Sequence, residues 1–189
     1  MLYFGGNAEE VSWMIDAAAA QTPGVSWLLT DYRGFGASRG SPSEKNLLSD
    51  ALVWHRYAVQ ELHAGRVFAL GRSLGSGVAV RLAAQRPLAG VILVTPFDSL
   101  TTVAQRYYPY LPVKWLLRHR FDSLSLAPRI DLPMLCLIAG RDEMIPPAHA
   151  ERLYQAWLGP KRKAVLSGAQ HNDVDAAPEF WPSIRRFVA

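Results

Sequence analysis

Gly71-Arg72-Ser73-Leu74-Gly75 directly follows the apolar run Val67-Phe68-Ala69-Leu70 and opens the helix-compatible stretch from Val78 to Ala84. That order leaves the backbone few solutions. A buried strand must pass into a helix through a turn so tight that only glycine on both flanks tolerates the neighbouring backbone. A serine at the apex of such a turn projects its Oγ from the end of the sheet, which makes Ser73 a candidate nucleophile.

Other short apolar runs alternate with helical patterns along the chain, and alternation of this kind implies a parallel sheet with helices on both faces. Strands are expected at Met1 to Phe4, Val25 to Thr30, and from Val67, Val91, Met134 and Ala164. Asn7 reads as the cap of a first helix, with Glu10 three residues on and Val11, Met14, Ile15 and Ala18 on one apolar face. Ser41-Pro42-Ser43-Glu44 reads as a capping box with proline at the first helical position, followed by a stripe of Leu48, Leu52, His55, Val59 and Leu62. Trp181, Ile184 and Val188 mark a last amphipathic helix that begins near Pro178.

An acid and a histidine following the serine complete the order expected of a strand-turn-helix nucleophile. Met134 to Ala139 reads as a buried strand that delivers Asp142 at its carboxyl end, and Ala164 to Leu166 delivers His171 on a loop at the same edge. Asp98, after Val91 to Val94, is the rival acid. Asp31 precedes the nucleophile and reads as a loop-fixing acceptor of backbone N–H groups. His55 reads as a packed residue, whereas His63, His119 and His149 read as surface histidines. Cys136 falls inside an apolar strand and reads as a buried, inert thiol.

The segments Tyr3 to Glu9, Asp31 to Ser38, Gly71 to Gly75, Arg120-Phe121-Asp122-Ser123 and Gly140 to Pro146 resemble the α/β-hydrolase superfamily, specifically its Bem46-like branch of ABHD13-type and ABHD17-type serine hydrolases. The resemblance spans nearly the whole chain. It implies an oxyanion hole made by the backbone N–H groups of Leu74 and Asn7. Relatives usually carry His-Gly-Asn-Ala where this chain has Gly5-Gly6-Asn7-Ala8, so a side chain that would help to fix the loop is absent. The resemblance also implies a parallel α/β-hydrolase sheet that here lacks its usual first two strands. The strand at Val25 to Thr30 is then an exposed edge prone to association.

A length of 189 residues with one cysteine fits one α/β-hydrolase domain, residues 1–189, without an internal disulfide. Residues 97–133 depart from the alternation. Tyr107, Tyr108, Tyr110 and Trp115 within them read either as an apolar cap over the site or as helices that pack on the sheet. The net charge of +4 is carried by scattered cations without a nucleic-acid-binding signature, which argues against a nucleic-acid partner and is compatible with peripheral attraction to acidic lipid headgroups. Nothing specifies the oligomeric state. No stretch spans a bilayer and no signal peptide opens the chain, so it reads as cytoplasmic as it stands, membrane-anchored if an upstream leader precedes it.

These residues point to a serine hydrolase that cleaves a carboxylic ester or thioester of an apolar acyl group through an acyl-enzyme, with no metal or organic cofactor. A small-molecule or acylated substrate is the expected partner. Two other readings stay open: a serine peptidase or amidase, and a catalytically weak or inactive partner-binding module on the same fold.

Overall fold

The computed structural model describes residues 1–189. Six strands form one parallel sheet: β1 (Leu2–Phe4), β2 (Leu28–Thr30), β3 (Phe68–Arg72), β4 (Gly90–Val94), β5 (Met134–Ala139) and β6 (Lys161–Leu166). Their spatial order is β2-β1-β3-β4-β5-β6. The connecting helices are α1 (Met14–Gln21), α2 (Glu44–Gln60), α3 (Leu74–Ala83), α4 (Leu100–Tyr107), α5 (Val113–Leu116), α6 (Pro147–Ala156) and α7 (Phe180–Val188). No helix is long and apolar enough to cross a membrane.

Side chains alternate across the strands, so each strand feeds two cores. Leu2, Phe4, Ala69, Val91, Leu93, Met134 and Cys136 face one core with residues of α2, α3 and α6. Tyr3, Leu70, Ile92, Val94, Leu135 and Leu137 face the other, covered by Met14 and Ala18 of α1 and by Phe180 and Ile184 of α7. Near-continuous apolar runs are what a strand covered on both faces requires. The expected parallel sheet flanked by helices is therefore present.

Helix boundaries depart from the sequence reading in two places. Asn7 caps nothing: residues 7–8 and 12–13 form turns with irregular chain between them, and α1 begins only at Met14, with Ile15 half exposed. Val11 N–H is instead captured by the Asp31 carboxylate at 3.0 Å, which makes the loop pack rather than wind, and gives Asp31 its expected loop-fixing role. In α2 the cap is Ser43, whose Oγ accepts from Asn46 N–H at 3.1 Å, so Pro42 lies outside the helix. The buried stripe is then Leu47, Ala51, His55 and Ala58, rotated one residue from the expected one, and Val59 and Leu62 are exposed. His55 is packed as expected, with Nε2 3.0 Å from Pro87 O.

β2 is a short edge strand paired only with β1, through Leu28, Leu29 and Thr30. The opposite edge, β6, carries Lys161, Arg162 and Lys163, which oppose strand addition by charge.

Candidate active site

β1 leads to β2 on one side and β3 leads to β4 on the other, so the chain reverses direction between the neighbouring strands β1 and β3. A crevice opens at such a switch point, beyond the carboxyl ends of the strands. Asn7 follows β1 there and Ser73 follows β3. The cleft is about 590 Å³, lined by Gly6, Asn7, Glu9, Trp13, Arg72, Ser73, Met144, His171, Asn172 and Asp175.

Ser73 sits at φ 51° and ψ −115°, a backbone conformation that L-residues rarely adopt and that costs about 1–3 kcal/mol. Packing enforces it. A Cβ on Gly71 would overlap the Gly75 carbonyl, and a Cβ on Gly75 would overlap the Phe4 carbonyl. Both glycines are therefore required by close approach of backbone, and they bring α3 against the end of β1. Ser73 N–H donates to Val94 O at 2.9 Å, and Ser76 Oγ donates to Ser73 O at 2.6 Å.

His171 Nε2 lies 2.9 Å from Ser73 Oγ, and its Nδ1 lies 2.7 Å from Asp142 Oδ2. The network assigns the tautomer: Nδ1 carries the proton and donates to the carboxylate, leaving Nε2 to accept from the serine hydroxyl. Asp142 is itself oriented by Ile145 N–H, 2.7 Å from Oδ1. Asp142 and His171 are both about 94% buried, so the pair is shielded from solvent competition. The loops that bear them are tied together by Gly140 N–H to Leu166 O and Arg141 N–H to Ala169 O, each 2.9 Å.

Leu74 is the first residue of α3, so its N–H has no partner within the helix and lies at the positive end of the dipole. Asn7 N–H has no acceptor in the chain. Gly6 N–H is occupied by Glu9 Oε2. The loop is further fixed by side chains: Glu9 also accepts from Tyr3 OH at 2.6 Å and Trp13 Nε1 at 3.1 Å, and Tyr32 OH donates to Gly5 O at 3.1 Å. Burial, followed by the Glu9 carboxylate, raises the Tyr3 hydroxyl far above the ordinary tyrosine range, so it remains a donor.

The rival acid is engaged elsewhere. Asp98 accepts from Thr102 Oγ1 at 2.5 Å and Arg152 Nε at 2.7 Å, and pairs with His149 Nδ1 at 2.7 Å. Burial pushes its carboxyl upward, but these bonds together with Ser99 N–H outweigh it and hold the group below the ordinary carboxylate range. His149 is consequently buried, not a surface histidine as expected, because Asp98 gives its ring a polar partner inside the fold. His63 and His119 are exposed. Burial pushes the Cys136 thiol up to about 12, in keeping with an inert residue.

Two features have no sequence signal. Glu9 is one. The other is Arg72, whose Nη2 donates to Asn172 O at 2.9 Å, whose Nη1 is 3.6 Å from Asp175, and whose guanidinium stacks 5.3 Å from the Trp13 ring. It ties the loop bearing His171 to the strand bearing Ser73. The aromatic segment does not line the cleft. Its nearest contact is Tyr107 OH, which donates to Glu143 O at 3.1 Å and Met144 O at 2.8 Å at the rim. No group of three or more His, Cys, Asp or Glu side chains is arranged to hold a metal ion.

A hydrolase family described as serine aminopeptidase, S33, matches residues 2–126, which contain Ser73, Leu74 and Asn7. An uncharacterised protein of Mycobacterium tuberculosis is 37% identical over 193 residues, covering 100% of this chain and 69% of its own length. Alpha/beta hydrolase domain-containing protein 17B of Xenopus laevis is 32% identical over 164 residues, covering 84% of this chain and 54% of its own length. The chain thus spans about half to two thirds of these relatives. A hydrolase from Pseudomonas aeruginosa superposes with a TM-score of 0.77 at 19% identity, over 100% of this chain and 89% of that one, and shares the fold.

Proposed function

The chain belongs to the α/β-hydrolase family, and from that premise we propose that it is a serine hydrolase cleaving a carboxylic ester or thioester through an acyl-enzyme. One observation carries the reading: Ser73 Oγ, His171 and Asp142 form a continuous hydrogen-bonded relay, with contacts of 2.9 and 2.7 Å, beside two backbone N–H groups without partners.

In this mechanism Ser73 Oγ attacks the acyl carbon as His171 Nε2 takes its proton. Asp142 holds the imidazole and stabilises the imidazolium. The Leu74 and Asn7 N–H groups receive the oxyanion, and one such donor contributes about 2.7–4 kcal/mol. His171 returns the proton to the leaving alcohol or thiol, and water then repeats the cycle on the acyl-serine. Trp13 and Met144 are the apolar walls available to an acyl group. Arg72 keeps the two halves of the relay in register.

The test is labelling with a fluorophosphonate followed by peptide mapping. The adduct is expected on Ser73, and Ser73→Ala is expected to abolish labelling and lower p-nitrophenyl acetate turnover about a thousandfold or more. An adduct elsewhere overturns the assignment, and no adduct favours a binding module. The family description also supports a peptidase reading, so an aminoacyl p-nitroanilide belongs in the same assay; faster cleavage of the anilide would favour that reading.

A further inference from the structure

We propose that the segment from Arg106 to Arg120 is a docking face for an anionic lipid bilayer, which brings acylated substrates to the rim of the Ser73 cleft. Substrate delivery rests on the hydrolase reading above; the docking itself does not.

The first observation is charge. From Ser99 to Phe121 the chain carries Arg106, Lys114, Arg118 and Arg120 and no carboxylate. The whole chain has 20 cations and 16 carboxylates for a net +4, so these four residues equal the entire excess and the remainder is balanced. None of the four side chains forms an ion pair within the chain; the Glu44 carboxylate, which touches the segment, pairs with Arg81 and accepts the Arg120 backbone N–H at 2.8 Å. Four unneutralised cations in one exposed stretch attract a negative surface.

The second observation is exposure. Tyr110 is 97% exposed and Trp115 is 86% exposed, the highest values among the large hydrophobic residues. Leu111 and Leu116 are exposed beside them. α4 contributes no fully buried residue and α5 only Val113, so this aromatic set is not part of either core. Tryptophan and tyrosine side by side with cations match the boundary between headgroup and acyl chain, where an apolar ring and a polar edge are satisfied together. A nucleic acid could pair with the cations and stack on the rings, but would leave Leu111 and Leu116 in water. A bilayer buries all of them.

The third observation is position. Tyr107 OH donates to the carbonyls of Glu143 and Met144, and Met144 lines the cleft with Ser73 and His171. A bilayer resting on the segment therefore adjoins the mouth of the cleft. This accounts for exposed aromatics that the fold does not use, next to a cleft with few apolar walls of its own.

The experiment is vesicle cosedimentation of the full chain carrying Ser73→Ala, so that lipid is not consumed. Phosphatidylcholine vesicles with roughly 30% phosphatidylserine are expected to retain the protein at about 0.1 M salt and release it as the Debye length shortens, while pure phosphatidylcholine is expected to retain little. Arg106→Gln with Lys114→Gln should lower partitioning about 30-fold, from about 1 kcal/mol per cation. Trp115→Ala should lower it at constant charge. In the Ser73 background all three substitutions should leave p-nitrophenyl acetate turnover within about twofold, since none of these side chains lines the cleft. Equal retention by neutral and anionic vesicles overturns the proposal. So does retention indifferent to Trp115→Ala, or competition by a single-stranded oligonucleotide with the same dependence on Trp115. Ester turnover without vesicle binding removes this inference and leaves the hydrolase reading; vesicle binding without Ser73 labelling does the reverse.

Discussion

At the scale of single residues, the two buried aspartate–histidine pairs separate by what lies beyond each histidine. His171 reaches Ser73 Oγ, whereas the His149 ring shares its Nδ1 side with Asp98 and Arg152 Nη2, 2.9 Å away. Asp142→Asn should therefore lower kcat about a hundredfold to ten-thousandfold with little change in KM, because the amide oxygen is held by Ile145 N–H and the NH2 group then faces Nδ1 as a donor, which favours the wrong imidazole tautomer. Asp98→Asn should leave kcat near its normal value and lower thermal stability instead, since it removes the charge that Arg152 and His149 share. The sign follows from the depressed carboxyl of Asp98. Its contribution is present above the unfolded value near pH 4 and is lost as pH falls through the lower folded value. The difference in Tm between the native chain and Asp98→Asn should thus be full above about pH 5 and close at more acidic pH, as followed by circular dichroism.

At the scale of elements, the elbow between β3 and α3 is held by contacts on both sides of its apex. Gly75→Ala should prevent normal packing of α3 on β1, because the added methyl meets the Phe4 carbonyl, a rigid group that cannot yield. Loss of soluble expression or of a cooperative melt is the expected outcome, and a native melting curve would contradict it. α2 offers a milder test of register. Leu47→Ala should cost about 2–5 kcal/mol and Val59→Ala at most about 0.5, since Leu47 is in the core and Val59 is exposed. Periodicity alone favoured the stripe containing Val59. The shift of one residue is a packing result: Leu47, Ala51 and Ala58 join the core shared with α3.

At the scale of the whole molecule, the two edges of the sheet are unequal. β6 is guarded by three cations, whereas β2 presents Leu28, Leu29 and Thr30 with one side unpaired. For residues 1–189 taken alone, self-association should proceed through β2, and hydrogen exchange at residues 28–30 should slow as protein concentration rises. Exchange independent of concentration would locate any association elsewhere. The cleft, with two apolar walls, should also give a shallow dependence of kcat/KM on acyl length for soluble esters beyond butyryl. A steady gain approaching about 0.8 kcal/mol per methylene would mean that the chain is buried along its length, and that the aromatic segment closes over it in solution.

The parallel sheet, the elbow serine, and the acid and histidine at its edge were legible in the sequence because each rests on local chemistry. Apolar runs without alternation require cover on both faces, and two glycines around a serine between strand and helix require a tight turn. What the sequence left open depended on residues far apart in the chain. Which of Asp142 and Asp98 lies beside the histidine that reaches Ser73 depends on how β4, β5 and α6 pack. Glu9 and Arg72 were invisible because their roles exist only through Gly6, Tyr3, Asn172 and Asp175, brought to them by the fold. The aromatic segment could be read as capping the site or as packing on the sheet, because hydropathy fixes how apolar a segment is and only the tertiary structure fixes what it faces.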